Sequence, residues 1–278
     1  MNYIEREQDI INKTITPNTI ESLKDDFKSL GVKKGDIVLV HSSLSQLGWT
    51  VGGPVSVIDA LISVLGEEGT LIMPSFSSGN TNPDGWQYPP VPKEWCPIIR
   101  ENMPAFHVDK TPTRAMGTIA ETFRKYPGVV RSDHPVSSFS AWGKHARYIT
   151  QNHKIESDLG DGSPLARIYK LDGKVLLLGV NHSSNTSIHL AEYRSEYKDK
   201  YFKVNGSSMI IDGKRQWMQW NELNMITDDF KDIGRDFETK MAVFPKKVGL
   251  AEVLLFSQRK LVDFTIEWIR KNRTQEVD

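Results

Sequence analysis

Three short apolar runs, IVLV (37–40), TLIMP (70–74) and KVLLLGV (174–180), constrain the fold of this chain more than any other feature. Each is shorter than a buried helix needs and none alternates with polar residues, so each reads as a strand covered on both faces of a sheet. A polar loop, HSSLSQLGWTVGG, and a helix expected to begin at Pro54 separate the first two, and strand, helix, strand makes those strands parallel neighbours. Each run is followed by a hydroxyl- or amide-rich loop: HSSLS, SFSSGN and NHSSNTS. Ligands of open α/β sheets bind beyond the carboxyl ends of the strands, so three parallel strands would gather these loops on one rim.

The remaining text fits layers of helix around that sheet. Ile20, Leu23, Phe27 and Leu30 recur at helical spacing, with Asn18 and Thr19 as cap candidates and Gly31 as a stop. From Ser75 to Thr113 proline, glycine, asparagine and aromatics crowd together, which predicts an ordered but irregular excursion lining a site. Helices are expected near 116–125, 144–152 and 163–171, a hairpin about Asp212-Gly213, and a last helix within Leu254–Asn272. The expected fold is α/β: a central mixed, largely parallel sheet flanked by helices, with a β-hairpin toward the C-terminus, residues 1–278 forming a single domain.

Charge narrows the function classes. With 35 Lys and Arg against 35 Asp and Glu in 278 residues, the chain has no net field to attract nucleic acid or an anionic membrane. No stretch approaches the ~18 uninterrupted apolar residues of a membrane span, and a soluble, cytoplasmic protein is expected. The single cysteine, Cys96, excludes an internal disulfide and a multi-cysteine metal site, and it reads as an inert buried thiol. No phosphate loop, dinucleotide fingerprint, nucleophile elbow or zincin motif is present.

What remains is histidine, carboxylate, hydroxyls and backbone amides. In NHSSNTSIHLAEYRSE (181–196), Thr186 caps a helix that puts His189 and Glu192 three positions apart on one face. A carboxylate beside an imidazole fixes its tautomer and raises its basicity, as a general base requires; the same pair also serves as a buried structural hydrogen bond. His182, in the loop, reads as a rim residue, and His134, held extended before a proline, reads equally as support or as function. HSSLSQLGWTVGG and PTRAMGT (112–118) each offer small residues that let backbone approach a phosphate, with Arg114 as a charged partner. The acidic stretches 156–162 and 227–238 read as solvated faces.

Taken together, VHSSLSQLGWTVGG, LIMPSFS, PTRAMGTIAETFRKYPGVVRSDHPVSSFSAWG, GDGSPLARIYKLDGKVLLLGV, NTSIHLAE and RKLVDF resemble the ordered motif series of the aminoglycoside 3-N-acetyltransferases, including their Bacillus-type, prophage-borne members. The resemblance implies the antibiotic N-acetyltransferase fold, distinct from the commoner acetyltransferase fold, and acetyl transfer from acetyl-CoA to the 3-amino group of 2-deoxystreptamine antibiotics. It further implies His189, Glu192 and Thr186 as the catalytic set. The cofactor cleft would comprise His41, Ser42, Ser43, Leu44, Ser45, Gln46, Leu47, Gly48 and Trp49, with Ser75, Thr111, Thr113, Arg114, Met116 and Gly117. No metal is implied, the partner is a small-molecule amine, and the protein would be a monomer or homodimer. Where family members commonly carry an aspartate, this chain has Ser183. The alternative to an aminoglycoside-modifying enzyme is a CoA-binding member that acts on another amine or as a sensor.

Overall fold

A computed structural model describes residues 2–274. Seven strands build its main sheet: β1 (Ile37–Ser42), β2 (Thr70–Pro74), β3 (Val130–Arg131), β4 (Phe139–Gly143), β5 (Lys174–Leu178) and, after a separate hairpin of β6 (Phe202–Ile211) and β7 (Lys214–Leu223), β8 (Lys246–Val248) and β9 (Ala251–Ser257). Their order is β3-β4-β2-β1-β5-β9-β8. β1 pairs in parallel with both β2 and β5, as the apolar runs predict, whereas β2/β4, β3/β4, β5/β9 and β8/β9 are antiparallel. The sheet is thus parallel at its centre and antiparallel at both flanks.

The central strands alternate their burial between two cores. Val38, Val40, Leu71, Met73, Leu176 and Leu178 face helices Ile20–Leu30, Pro54–Leu65 and Gly117–Phe123. Leu39, Ile72, Val175 and Leu177 face the opposite layer, which includes helices Ser187–Arg194, Phe230–Met241 and Gln258–Asn272. Successive strand residues point to opposite faces, so a run apolar at every position serves both layers. From β1 the chain crosses by helix Pro54–Leu65 to β2, while β5 lies on β1's other edge. Connections that leave neighbouring strands in opposite directions open a crevice at their carboxyl ends.

Several expectations are corrected. The irregular segment after Ser75 contains a true helix, Trp95–Asn102, which buries Cys96. The last helix, Gln258–Asn272, falls inside the stretch expected to hold one, and Leu254 and the residues after it end β9. The acidic stretch 227–238 enters helix Phe230–Met241, with Phe230, Ile233, Gly234 and Phe237 buried. In the stretch 156–162, Asp158 is buried and accepts hydrogen bonds from the hydroxyls of Ser137 and Tyr193.

Candidate active site

The crevice predicted by the topology is a cleft of about 330 Å³. His41 and Ser42 reach it from the end of β1, Pro74 and Phe76 from the end of β2, and Ser183 to Thr186 from the loop after β5. Ala115, Met116 and Ala120 close one side, and His189 and Phe230 close the other. Glycine at 179 lets the loops after β1 and β5 meet: its φ is +69°, and a Cβ there would lie 2.7 Å from Gln46 Cβ.

His189 lies on helix Ser187–Arg194, as the motif spacing predicts, and its Nδ1 stands 2.6 Å from Glu192 Oε2. A carboxylate only accepts, so Nδ1 carries the proton and donates it, leaving Nε2 with a lone pair. Among the described residues Nε2 has no hydrogen-bond partner, and His189 is 9% exposed, at the cleft beside Phe230, with 4.9 Å between ring centroids. Glu192 is fully buried, and its other oxygen accepts from Arg273 Nη1 at 2.6 Å and from the backbone N–H of Ile226 at 3.0 Å. Arg273 also grips Asp229 through Nε and Nη2, both at 2.8 Å, and lies over the Tyr197 ring. Burial would lower the Arg273 guanidinium, but the bonds to Asp229 and Glu192 outweigh it and hold its pKa above the ordinary value.

Two more histidines back the cleft. His41 is buried, and its pKa is lowered to about 3 by burial and by its nearness to His182 and His189. It is therefore neutral at pH 7, with Nε2 3.4 Å from Thr186 Oγ1. Thr186 occupies the N-cap position, but its hydroxyl makes no cap hydrogen bond; it turns to His41 instead. His182 is not the rim residue its loop position suggests. It is 3% exposed, stacked 5.4 Å from Phe256, held by Asn185 Nδ2 at 3.2 Å, and lowered by burial to about 4. Its ring packs against Gly234, where any Cβ would meet it at 2.3 Å, which accounts for a glycine in mid-helix.

The cofactor residues expected from the sequence divide. His41, Ser42 and Met116 line the cleft. Gly117, at φ +80°, faces the carbonyl of Ser42, and Arg114 stands exposed on the rim with its backbone N–H bonded to Phe76. Ser43 and Leu44 lead from the cleft into a short 3-10 turn. Ser45, Gln46 and Gly48 line a separate groove against helix Tyr3–Lys13. Leu47 is core, and Trp49 is tied by its N–H to Thr14. Ser75 is fully buried with its hydroxyl on Ser140, 2.6 Å away, so it does not face the cleft. Thr111 serves Arg131 through its carbonyl, and Thr113 serves Glu121 through its N–H and hydroxyl. These two support the cleft wall from behind. His134 is structural: Nδ1 accepts from the N–H groups of Val136 and Ser137.

Sequence reading missed Phe230, Asn185, Arg273 and Asp229. Asn185 is visible only as a polar residue after a strand, and Arg273 lies 81 positions from Glu192 in a tail without a motif. Among the described residues, no group of three His, Cys, Asp or Glu side chains is placed to hold a metal ion, and no helix is long and apolar enough to cross a membrane.

A cleft at the switch point of a mixed sheet thus holds an imidazole hydrogen-bonded to a buried carboxylate. The family model for aminoglycoside 3-N-acetyltransferase matches residues 39–270, and the chain belongs to that family of acetyltransferases. It is 46% identical to the SPβ prophage-derived aminoglycoside N(3')-acetyltransferase-like protein YokD of Bacillus subtilis strain 168, covering 96% of this chain and 98% of YokD. The crystal structure of YokD superposes with a TM-score of 0.93 over 95% of this chain and 98% of that one. Aminoglycoside N(3)-acetyltransferase IX of Micromonospora chalcea is 30% identical over 95% of this chain and 97% of its own. AAC-IIIb, solved as a binary complex with CoASH, gives a TM-score of 0.84 at 27% identity, covering 95% and 100% of the two chains.

Proposed function

We propose that this protein transfers the acetyl group of acetyl-CoA to the 3-amino group of the 2-deoxystreptamine ring of an aminoglycoside, with His189 as general base. The observation that carries the reading is the His189–Glu192 pair, with Nδ1 committed to the carboxylate and His189 in the wall of the cleft. The cleft suits a pantetheine arm. Phe76, Met116 and Val180 offer apolar walls to its methylenes, while Ser42, Ser183 and Asn185 offer polar groups to its amides. Arg114, on the rim, is the partner for phosphate.

In the transfer, the amine nitrogen attacks the thioester carbon as its proton passes to His189 Nε2. The C–S bond then breaks, and the proton goes on to the departing CoA sulfur. Glu192 stabilises the transient imidazolium, and backbone N–H groups of the loop after β1 serve the oxyanion. Neutral His41 matters here, because a second cation beside His189 would make it a weaker base. His189→Ala is expected to lower turnover by roughly 10²–10⁴-fold with CoA binding retained. Thiol release from acetyl-CoA with tobramycin, followed beside CoA titration calorimetry, checks this; full activity in the variant rejects the assignment.

A second reading rests on Ser183. It lies exposed at the cleft, and among the described residues no Asp or Glu lines that cleft. An acceptor with fewer charges than an aminoglycoside fits such a wall, and a CoA-binding protein without antibiotic-modifying activity is its limiting case. Thiol release with kanamycin, tobramycin, gentamicin and simple amines separates the two: turnover of simple amines alone supports this second reading.

A further inference from the structure

His182 is a buried titratable group that the transfer itself does not use, and its two ring nitrogens face different parts of the molecule. Nδ1 stands 3.2 Å from Asn185 Nδ2. Nε2 points the other way, 3.3 Å from Glu238 Oε1 on helix Phe230–Met241, close but out of line for a hydrogen bond. One neighbouring bond assigns the protons. The backbone N–H of Ser187 donates to the side chain of Asn185 at 3.2 Å, and of the two ends of that amide only the oxygen accepts. Nδ2 therefore faces His182, and because an amide nitrogen only donates, Nδ1 of the ring is its acceptor. With its pKa lowered to about 4 by burial, the ring carries a single proton at pH 7, on Nε2 toward Glu238. His182 and His189 thus hold opposite tautomers, the first bare at Nδ1 and the second at Nε2. Phe256 stacks on the His182 ring and Gly234 lets helix Phe230–Met241 close on it, so the acceptor offered to Asn185 is rigid.

Asn185 is fully buried, yet it lines the first cleft. One hydrogen of Nδ2 goes to His182; among the described residues the other has no partner. An unmet donor in a buried position is costly unless an acceptor arrives. The chain is already turning at this point: the carbonyl of Asn185 accepts from the N–H of Ile188 at 3.3 Å, and that of Thr186 from the N–H of His189 at 3.1 Å. Asn185 and His189 therefore stand about one turn apart in the same wall. An amine within reach of His189 attacks a carbon about 3 Å further on, which puts the thioester oxygen about one helical pitch, ~5.4 Å, from the imidazole.

We propose that His182 is a positioning residue that commits Asn185 to act as a donor, and that the free N–H of Asn185 binds the thioester oxygen of acetyl-CoA as it becomes an oxyanion. The proposal rests on the reading of the chain as an acetyl-CoA-dependent acetyltransferase and adds a side-chain donor to it. When the amine nitrogen adds to the thioester carbon, the carbonyl π pair moves to oxygen, where the Asn185 N–H meets it. When the C–S bond breaks, its pair leaves with sulfur, the oxygen pair re-forms the carbonyl, and the proton held by His189 goes to the thiolate. Asn185 exchanges no proton in either step.

Asn185→Asp separates donation from support, because a carboxylate keeps an oxygen for the Ser187 N–H and another for His182, whose proton then moves to Nδ1, but offers no donor. Its kcat with tobramycin is expected to fall roughly 10²–10³-fold, with KM for tobramycin within about threefold. By calorimetry its affinity for acetyl-CoA should fall about 3–10-fold more than its affinity for CoA, which has no thioester oxygen. His182→Leu, which frees the amide to rotate, should lose roughly 10–100-fold in kcat and the same preference for acetyl-CoA over CoA. His182→Gln, whose amide oxygen accepts from Nδ2, should recover most of both. General loosening of the cleft would instead weaken both ligands together. Full kcat in Asn185→Asp, or equal losses of affinity for acetyl-CoA and CoA, overturns the donor role, and a His182→Gln no better than His182→Leu overturns the positioning role. Should the variants not fold, nitrogen-15 spectra of the wild type decide. A bare Nδ1 on His182, with an Asn185 side-chain amide signal that moves on adding acetyl-CoA but not CoA, supports the proposal; a protonated Nδ1 or equal responses overturn it. If the wild type binds acetyl-CoA but acetylates no amine, the transferase reading fails separately and the comparison of the two ligands still judges Asn185. Absent binding of acetyl-CoA overturns both.

Discussion

Arg273 and Glu192 form a buried ion pair 2.6 Å apart, and the orientation of His189 depends on it. Glu192 has no exposure to water, so removing the guanidinium strands a carboxylate in the core. Arg273→Ala is expected to cost about 3–5 kcal/mol in stability, read from urea unfolding, and to lower kcat by letting the carboxylate turn from Nδ1. Arg273→Lys should restore only part of the loss, because a single ammonium cannot bridge Glu192 and Asp229 as the fork of the guanidinium does. At this scale the sequence was legible for the pair and silent on its support. His189 and Glu192 are three positions apart on one helix, a spacing visible in the text, whereas Arg273 meets Glu192 only after the chain has folded.

Among the elements, Gly179 couples the ends of β1 and β5. Gly179→Ala would force a Cβ onto Gln46 at a positive φ that L residues rarely adopt. The expected outcome is a raised KM for acetyl-CoA, as the loop after β1 is displaced, together with a loss of about 1–3 kcal/mol in unfolding free energy. A strand pattern was readable wherever burial on both faces required a continuous apolar run, as in β1, β2 and β5. It was unreadable in β4, whose Ser140 bonds Ser75, and in its neighbour Ser138, which donates to the Ser75 carbonyl. Hydroxyls that satisfy one another inside a protein look, in sequence, like those of a loop. β9 was obscured differently: AEVLLFS precedes a helix without a break, and apolar content alone does not separate strand from helix there.

For the whole molecule, buried histidines set the response to acid. His41 and His182 are lowered to about 3 and about 4, and His134 and His153 are also lowered, in each case chiefly by burial. Their unfolded counterparts titrate near 6.5, so below that pH the unfolded chain binds more protons and stability falls. Glu222 and Glu238, raised by burial, act in the opposite sense just above the ordinary carboxylate pKa, which leaves the histidines dominant from pH 6.5 to about 5. Unfolding free energy is expected to decline over that window by up to ~1.4 kcal/mol per pH unit for each histidine. His182→Gln should remove about one proton from the slope. A flat profile between pH 7 and 5 would contradict these burial assignments.

The sequence by itself determined the strand triplet, its helical layers, the rim where loops collect and the spacing of His189 to Glu192. These follow from local periodicity and from the rule that backbone must bury its polar groups in regular structure. Only the tertiary structure decided which residues of the HSSLSQLGW loop face the cleft, that His182 is buried, and that Arg273 closes on Glu192. Those outcomes depend on contacts between distant segments, and no local pattern records which partner a charge will find.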